Sequence, residues 1–595
     1  MPAGLAAQTA APGPSPAKVI GPQSVVEKYD APVVKPESVA GLIDFPKLIA
    51  APGANDAMVI TPSLAGLRLE VLGTEGEDAP GDFVAITGAS RVGDKQASLY
   101  AALRAVLGKY RELPLTLGDV RLIQQDITES YAVLGFPLMS VVVPPQEVVG
   151  GRLRVQINEF RLEAYALQFG NGQGGYAGDA KRWTKVEDVR ALLEPLLAEP
   201  ILSRASLDRK VKQLNRSPFR SARVIFEPGA VQGQSKAVFQ FDEKRPWRVQ
   251  AGYNNHATKA SGTNRYSLGG SFGNIPWESH QLSWNATTGD RFDEFQNYSL
   301  IYTAPNRWGH TFSANVNFSD TASSSIPGVG SATTTLQSTL GYVVPLIDRD
   351  AFGWELNTSA ALKQFERASL FGGANVGGAV FDAVQLTVAN TFNVKEAHAT
   401  NQIVLSAVLS LEGLTGRNRA ENFRSFYNRA DGSAATTHFV LNYARVQQLK
   451  PLAAALDGWS AETQLSWQFT GDSLGGGDNF SVGGPSVLRA YQASEVNGDT
   501  GLYGIQFLHA KPIGGPALGW AGRWIQQVNP SVFLEAGEGR FKTGVRERVW
   551  DYGVQAAFSA KAGISLTASV ALAGKATAAT GRGDARVFVS GQIVY

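Results

Sequence analysis

Hydrophobic and polar residues alternate in two different ways along this chain, and the pattern changes near residue 246. Before that point, strand-like runs are mixed with runs whose apolar residues recur every three or four positions, as on one face of a helix. From Pro246 to Tyr595 the helical period almost disappears and alternating runs dominate. The pattern therefore predicts an α+β region followed by an all-β region.

The α+β region contains one order of elements twice: strand, helix, helix, strand, strand. In the first copy the strands are Leu67–Val71, Ser140–Val143 and Leu153–Ile157, and the helical faces are Leu99, Leu103, Val106, Leu107 and Tyr110, then Val120, Ile123, Ile127 and Tyr131. In the second copy the strands are Leu162–Phe169, Ala222–Phe226 and Ala237–Phe241, and the helical faces are Val186, Val189, Leu193 and Leu196, then Leu207, Val211 and Leu214. A repeat of roughly 80 residues favours a modular binding arm over a single catalytic core.

In the all-β region, one face of each run is apolar and the other is mostly Ser, Thr or Gln. Leu465, Trp467 and Phe469, for example, alternate with polar neighbours. In a soluble sandwich the apolar faces would form a core, whereas in a membrane barrel they meet lipid and the polar faces line the lumen. Small polar residues on the second face, and Tyr and Trp near strand ends, favour the barrel. About 16 runs fit an even-stranded outer-membrane barrel; a large secreted β-sandwich array is the alternative.

Composition excludes several functions. The chain has 54 Lys and Arg against 52 Asp and Glu, so it lacks the strongly basic balance of a nucleic-acid-binding protein. It has no cysteine, which excludes thiol catalysis, disulfides and Cys-based metal sites. The six histidines are scattered without metal-ligand spacing, and no nucleotide-binding or nucleophile motif stands in its required context. We therefore expect no enzyme activity, no cofactor and no metal.

Two short segments stand out in the all-β region. The first, Phe480–Tyr491, has a Gly-Gly pair, one Arg and an aromatic inside a long connection, and the second, Phe533–Gly537, places a carboxylate on a strand. The first resembles the GG…S-V-R-G-Y signature of two-partner secretion transporters (the TpsB branch of the outer-membrane assembly superfamily), and the second resembles that family's F-x-D-x-G signature. The matching positions are Gly483, Gly484, Ser486, Val487, Leu488, Arg489, Ala490 and Tyr491, then Phe533, Glu535 and Gly537.

The chain departs from these signatures at three positions. Leu488 stands where Val is usual, Ala490 where Gly is usual, and Glu535 where Asp is usual. The chemistry of each position is kept. We expect the longer carboxylate of Glu535 and the added methyl group of Ala490 to affect the geometry of the loop.

The repeats resemble the periplasmic POTRA domains of the same family. Tyr131, Gly135, Pro144 and Gln146 match the end of the first POTRA domain, and Leu207–Leu214, Asn215 and Phe226–Gly229 match the second. The resemblance implies the following organisation: a tail and linker over 1–57, POTRA domain 1 over 58–160, POTRA domain 2 over 161–245, and a 16-stranded transmembrane barrel over 246–595 with a lumen-directed loop at 475–500.

The N-terminal segment allows two interpretations. Its Ala-rich small residues resemble the cleavage end of a secretory signal, although a basic start and an apolar core are missing. An Ala/Pro-rich tail without any address is the alternative. The family often plugs its pore with an N-terminal helix, but Val25–Lys28 is too weakly helical to predict one.

By resemblance, the protein lies in the bacterial outer membrane, with its POTRA domains in the periplasm. The resemblance implies that it captures an unfolded exoprotein partner, a large secreted β-helical adhesin, haemagglutinin or haemolysin, and exports it through the barrel. Outer-membrane lipid is its other partner, and no nucleic acid or cofactor is expected. Two alternatives are a barrel-assembly factor, which usually carries more POTRA repeats, and a passive diffusion channel, which would not need the repeats.

The resemblance also implies a specific contact inside the barrel. If the loop folds back into the lumen, Arg489 meets Glu535 on the inner wall. Alternation places Phe533, Glu535 and Gly537 on one face and leaves an apolar pair facing lipid. We expect two parallel hydrogen bonds from the guanidinium group and partial screening of the pair by water.

Overall fold

The computed structural model describes residues 43–44, 56–72, 83–170, 175–178, 182–215, 217, 219–228, 234–257, 261–277, 279–306, 308–326, 328–349, 351–542, 544 and 546–595. Within these residues the chain forms two compact units, one inside residues 34–246 and one from Trp247 to Tyr595. Most of the predicted tail, including Val25–Lys28, lies outside the described residues.

The first repeat is a small sheet covered by two helices. After β1 (Ile43–Asp44), its elements are β2 (Val59–Thr61), β3 (Gly66–Val71), β4 (Val84–Thr87), α1 (Gln96–Leu107), β5 (Leu115–Thr116), α2 (Leu117–Val133), β6 (Met139–Val142) and β7 (Arg152–Glu159). The sheet order is β4-β3-β7-β6, and β2 pairs with β5. Helix α2 begins at a capping box, in which Thr116 and Asp119 satisfy each other's backbone N–H groups.

The helical faces predicted in the first repeat pack onto this sheet, with one exception. Leu99, Leu103 and Leu107 are buried, whereas Val106 is 36% exposed because it lies at the edge of the i, i+4 stripe they form. Strand β4 was not predicted. It is a four-residue strand with little room for a repeating pattern, and it pairs in parallel with β3.

The second repeat has the same architecture. It comprises β8 (Arg161–Gly170), β9 (Tyr176–Ala177), α3 (Val186–Leu193), α4 (Arg204–Leu214), β10 (Arg220–Pro228) and β11 (Gln234–Glu243), with the sheet order β1-β10-β11-β8-β9. Strand β1 lies in the segment predicted as tail and linker, yet Ile43 and Asp44 pair in parallel with Val224 and Ile225. A two-residue edge strand is too short for sequence alternation to reveal.

The two repeats share a small interface within their unit. Gly135, with φ of 92°, turns the chain after α2, and its carbonyl accepts a 2.8 Å hydrogen bond from the Arg204 N–H at the start of α4. Ile201 packs into the core of the first repeat and Leu138 into the core of the second. No helix among the described residues is long and apolar enough to cross a bilayer.

The second unit is a closed β-barrel. Its elements are β12 (Trp247–Asn254), β13 (Arg265–Gly273), β14 (Gln281–Thr288), β15 (Phe295–Pro305), β16 (Thr311–Ile326), β17 (Val329–Asp348), β18 (Phe352–Phe371), β19 (Ala374–Lys395), β20 (Ala399–Leu411), α5 (Ala420–Tyr427), β21 (Thr436–Gln448), β22 (Ser460–Thr470), β23 (Phe480–Val482), β24 (Val496–Gly498), β25 (Thr500–His509), β26 (Ile513–Gly514), β27 (Ile525–Arg540), β28 (Glu547–Ala560), β29 (Ile564–Ala573) and β30 (Ala585–Val594). In the described part of the chain, sixteen antiparallel strands form the ring, since the short β26 continues the pairing of β25 with β27.

The ring is closed by its first and last strands. Gln250–Asn254 of β12 pairs with Ser590–Val594 of β30, and Val249 and Tyr595 exchange backbone hydrogen bonds of 3.1 and 2.9 Å. Closure leaves no free sheet edge in the ring, which excludes the β-sandwich alternative.

The barrel carries its apolar residues outside. On β22, Leu465, Trp467 and Phe469 are 41%, 45% and 39% exposed, whereas the intervening Ser466 and Gln468 are 0% and 1% exposed. A row of exposed apolar residues beside a row of buried polar ones is the pattern of a strand with lipid on one side and a polar lumen on the other.

Candidate functional site: the lumen loop

The connection from β22 to β25, residues 471–499, folds back into the barrel and is called the lumen loop. Its two short strands, β23 and β24, form a hairpin in which Phe480 pairs with Gly498 and Val482 with Val496. The hairpin forms one apolar cluster with inward-facing residues of the wall. The wall residues in this cluster are Tyr503, Ile505, Phe507, Phe533, Val549, Ala571 and Ala573.

Two glycines shape the tip of the hairpin. Gly483 and Gly484 have φ values of 110° and 111°, a left-handed region that side chains rarely adopt. A Cβ atom on Gly483 would overlap the carbonyl oxygen of Gln492. Both glycine N–H groups donate within the tip, to Val487 O at 3.2 Å and Tyr491 O at 3.1 Å. The Gly-Gly pair thus makes the tight turn that presents the following Arg.

Leu488 and Ala490, two of the departures from the signature, are accommodated by packing. Leu488 is buried with φ of 55°, and a Cβ atom on Gly537 would lie 2.8 Å from its Cδ1, so the missing side chain at Gly537 leaves room for Leu488. The Ala490 methyl group is fully buried in the same cluster. Ser486 and Val487 are half-buried in the turn before them.

The structure brings Arg489 onto Glu535, but the geometry differs from the expected fork. Arg489 Nη1 donates to Glu535 Oε1, and the backbone N–H of Arg489 donates to Oε2 over 2.8 Å. The carboxylate therefore holds the side chain and the backbone of one residue instead of two guanidinium N–H groups. The longer Glu side chain, in place of the usual Asp, reaches both donors.

The expected screening by water is also wrong. Arg489 is 8% exposed and Glu535 is 0% exposed, because the hairpin covers the pair. The guanidinium carbon lies 4.5 Å from the ring centre of Phe533 and 5.2 Å from that of Phe507. Aromatic faces on a buried guanidinium add cation–π attraction to the ion pair.

A second carboxylate, Asp551, was not predicted from the sequence. It lies directly opposite Glu535 on the neighbouring strand β28, is fully buried, and accepts the Ala490 N–H over 2.6 Å. A signal was present: Val549-Trp-Asp551-Tyr-Gly553 repeats the spacing of Phe533-Leu-Glu535-Ala-Gly537. Two matching acidic strands thus receive successive backbone N–H groups of the tip.

Tyr491 ties the tip to the connection between β29 and β30. Its hydroxyl lies 2.9 Å from the Trp550 carbonyl and 2.8 Å from the Lys575 carbonyl, and it accepts the Lys575 N–H over 3.2 Å. Arg586 of β30 donates to the Tyr491 carbonyl oxygen. The three signature residues Arg489, Ala490 and Tyr491 are thus each bonded to the wall or to a connection between its strands.

The predicted POTRA residues form a separate set inside the first repeat. The Tyr131 hydroxyl donates to Glu159 over 2.7 Å, and burial, reinforced by the Glu159 charge, raises the pKa of Tyr131 well above its usual value. Gln146 bonds both the N–H and the carbonyl of Arg154, at 2.9 and 2.7 Å, and also donates to the Pro144 carbonyl over 3.3 Å. These residues fasten helix α2 and the segment after β6 to strand β7.

A groove in the second repeat is a further candidate site. A cavity of about 320 Å³ lies between the edge of β8 and helix α3. It is lined by Tyr165, Ala166, Leu167, Phe169, Gly178, Arg182, Val186 and Arg190. Along that edge of β8, strand β9 pairs only with Phe169 and Gly170 among the described residues. Within the described ranges, the remainder of this β8 edge has no strand partner beside the groove.

No group of three or more His, Asp or Glu residues within the described ranges is placed to hold a metal ion.

Comparison with known proteins supports one family. The model of the haemolysin secretion/activation protein family ShlB/FhaC/HecB matches residues 233–511, and that of the ShlB-type POTRA domain matches residues 89–159. No curated protein matches the sequence.

Two solved structures share the fold. CdiB from Escherichia coli is 14% identical, with a TM-score of 0.68, over 93% of this chain and 94% of that one. CdiB from Acinetobacter baumannii is also 14% identical, with a TM-score of 0.62 and the same coverage. The predicted fold class, α+β POTRA repeats before a 16-stranded barrel, is confirmed.

Proposed function

Because the chain belongs to the haemolysin secretion/activation family of two-partner secretion transporters, we propose that its POTRA domains capture an unfolded exoprotein and pass it to the barrel for export. The barrel lies in the outer membrane, and the POTRA domains lie in the periplasm. The family's partners are large exoproteins. For this chain we propose a β-helical partner of the adhesin, haemagglutinin or haemolysin type.

The open edge of β8 carries the capture proposal. An extended peptide that pairs with β8 would form backbone hydrogen bonds, which demand little sequence, and would place alternate side chains in the groove beside α3. The groove is lined by apolar and aromatic side chains with Arg182 and Arg190 among them. This arrangement suits an unfolded chain of varied sequence better than a folded ligand.

Export then requires the lumen loop to move. Hydrogen bonds, ion pairs and packing hold the loop to the wall, and the chain has no cysteine with which to cross-link it. We propose that the bonds of Arg489 to Glu535 and of the Ala490 N–H to Asp551 form a latch that sets the loop's position. Folding of the exoprotein outside biases the movement, so the transporter itself needs no nucleotide and no catalytic step.

Filling the groove tests the capture. Val186→Trp in the unit 34–246 should weaken binding of the unfolded N-terminal segment of the exoprotein by about tenfold, because the indole occupies the space beside β8. The probe is the N-terminal segment of any large secreted protein that a neighbouring gene encodes. Ala191→Trp, on the exposed opposite side of α3, is the matched control and should bind as the unmodified unit does. Equal binding by both variants, measured by titration calorimetry, would place capture elsewhere.

A further inference from the structure

The limb of the lumen loop that leads from β22 into the hairpin is held by a different part of the wall from the tip. Lys363 Nζ lies 3.2 Å from Asp478 Oδ1, and Gln385 Nε2 donates to Asp478 Oδ2 over 2.6 Å. Lys363 belongs to β18 and Gln385 to β19. Both oxygens of one loop carboxylate are thus bonded to side chains of neighbouring strands.

The two attachments lie far apart around the ring. In the order of the described barrel strands, β18 and β19 are seventh and eighth, whereas β27 and β28, which hold Arg489 and Ala490, are thirteenth and fourteenth. A loop bonded to both pairs of strands crosses the lumen instead of lying along one wall. A barrel of sixteen strands is wide enough to hold an aqueous channel, so the crossing loop obstructs it.

The limb that presents Asp478 is rich in glycine. Gly475–Gly477 precede Asp478, and the Asp478 N–H closes a turn on the Gly475 carbonyl over 2.8 Å. A Cβ atom on Gly475 would overlap the Tyr427 ring, which belongs to α5. Three consecutive glycines hold no conformation by themselves, so the bonds of Asp478 help to fix where the limb meets the wall, together with the one that its carbonyl oxygen accepts from Gln468 Nε2 of β22 over 2.8 Å.

We propose that Asp478, Lys363 and Gln385 are positioning residues that form a second attachment of the lumen loop, and that it is released together with the Arg489 latch when the pore opens. This inference rests on the proposed export function. The Lys363 and Asp478 side chains are 16% and 19% exposed, more than those of Arg489 and Glu535. An ion pair that water reaches is weaker than a dry one, which suits a contact that must open and close.

Conductance of the full-length protein in planar lipid bilayers tests the proposal. Asp478→Asn should raise the open probability about two- to fivefold, the ratio expected from loss of a partly exposed ion pair. Lys363→Met should have the same effect. The charge exchange Lys363→Asp with Asp478→Lys should return the open probability close to that of the unmodified protein, which a role in packing alone would not produce.

Glu396→Gln is the matched control. It breaks the pair between Glu396 and Arg445, whose hydrogen bonds do not involve the lumen loop, and should leave conductance unchanged. If Asp478→Asn fails to give a folded barrel, Gln385→Ala removes one donor only and should shift conductance in the same direction. Unchanged conductance in folded Asp478→Asn, or in Gln385→Ala used in its place, would overturn the second attachment. The measurement needs no exoprotein, so a barrel that opens more readily yet exports nothing would contradict the proposed function and leave the attachment standing.

Discussion

The same alternation of apolar and polar residues buries opposite faces in the two units of this molecule. In β11 of the second repeat, Phe239 and Phe241 are fully buried under the helices. In β22 of the barrel, Trp467 and Phe469 point outward, and Ser466 and Gln468 are the buried residues. A period of two therefore identifies a strand and its two faces, whereas the surrounding solvent decides which face is inside.

The largest difference in stability between the two units should appear when one aromatic residue is truncated in each. Phe239→Ala should lower the free energy of unfolding of the POTRA unit by about 4 kcal/mol, because it leaves a cavity in a closed core. Phe469→Ala should cost the barrel much less, since lipid fills the space. Urea unfolding of unit 34–246 measures the first loss. The second is measured by the temperature at which the barrel loses its compact migration on gels. Similar losses of stability in the two units would contradict the conclusion that the barrel strands turn their apolar faces outward.

A smaller loss in the free energy of unfolding, about 3 kcal/mol, is expected at Arg489, where the barrel interior excludes water as the POTRA core does. Arg489→Ala leaves Glu535 and Asp551 buried without their cation, and an uncompensated buried charge is strongly destabilising. Arg489→Ala combined with Glu535→Ala should be more stable than Arg489→Ala alone, and both should export poorly. Thermal loss of compact migration, followed in detergent, would detect the difference. A double variant less stable than the single one would show that the pair is not isolated from water.

The POTRA unit offers a matching test of a buried polar group. The pKa of Tyr131 is raised first by burial and then by the Glu159 charge, so the folded state keeps its proton at a pH where the unfolded chain loses it. Stability should therefore be complete below about pH 10 and fall as the pH rises further. Tyr131→Phe should cost about 2 kcal/mol at pH 7 and flatten the alkaline loss in urea unfolding. An unchanged alkaline slope would assign that loss to other tyrosines.

The smallest effect should come from an ion pair on the surface of the POTRA unit. Lys236 and Glu227, on neighbouring strands, lie 3.3 Å apart with side chains 41% and 46% exposed. Lys236→Ala should change stability by less than about 0.5 kcal/mol, because water screens the pair. Urea unfolding would measure it beside Phe239→Ala. A loss near that of Phe239→Ala would mean that this surface is covered in the folded protein.

Much of the fold follows from pattern alone, because long elements carry long periodicities. The helices around Leu103 and Ile127 and the alternating strand around Trp467 were predicted from the spacing of their apolar residues. Strands β1 and β4 were not, since two to four residues contain too little pattern. Helix α5 was also missed, because one apolar face of two turns inside a long connection is a weak signal.

The candidate site was predicted in part. The resemblance supplied Arg489 and Glu535, and parity placed Glu535 on the inner face, where the structure has it. The segment around Asp551 repeats the spacing around Glu535 and could have indicated that residue, but no local pattern links Asp478 to Lys363, 115 residues earlier in the chain. The exclusion of water from Arg489 and Glu535 could not be predicted either, because it depends on how the hairpin packs across the lumen.

The pairing of β12 with β30 determines when the barrel can close during folding. Val589 donates a hydrogen bond to Asn255, 334 residues earlier in the chain, so the first barrel strand has no partner on one side until the last is made. Contacts of such sequence separation form slowly, because a long loop must close before they contribute any stability. During that interval both terminal strands expose unpaired edges, which are templates for pairing with other chains. A barrel closed in this way needs protection from aggregation for as long as its synthesis lasts.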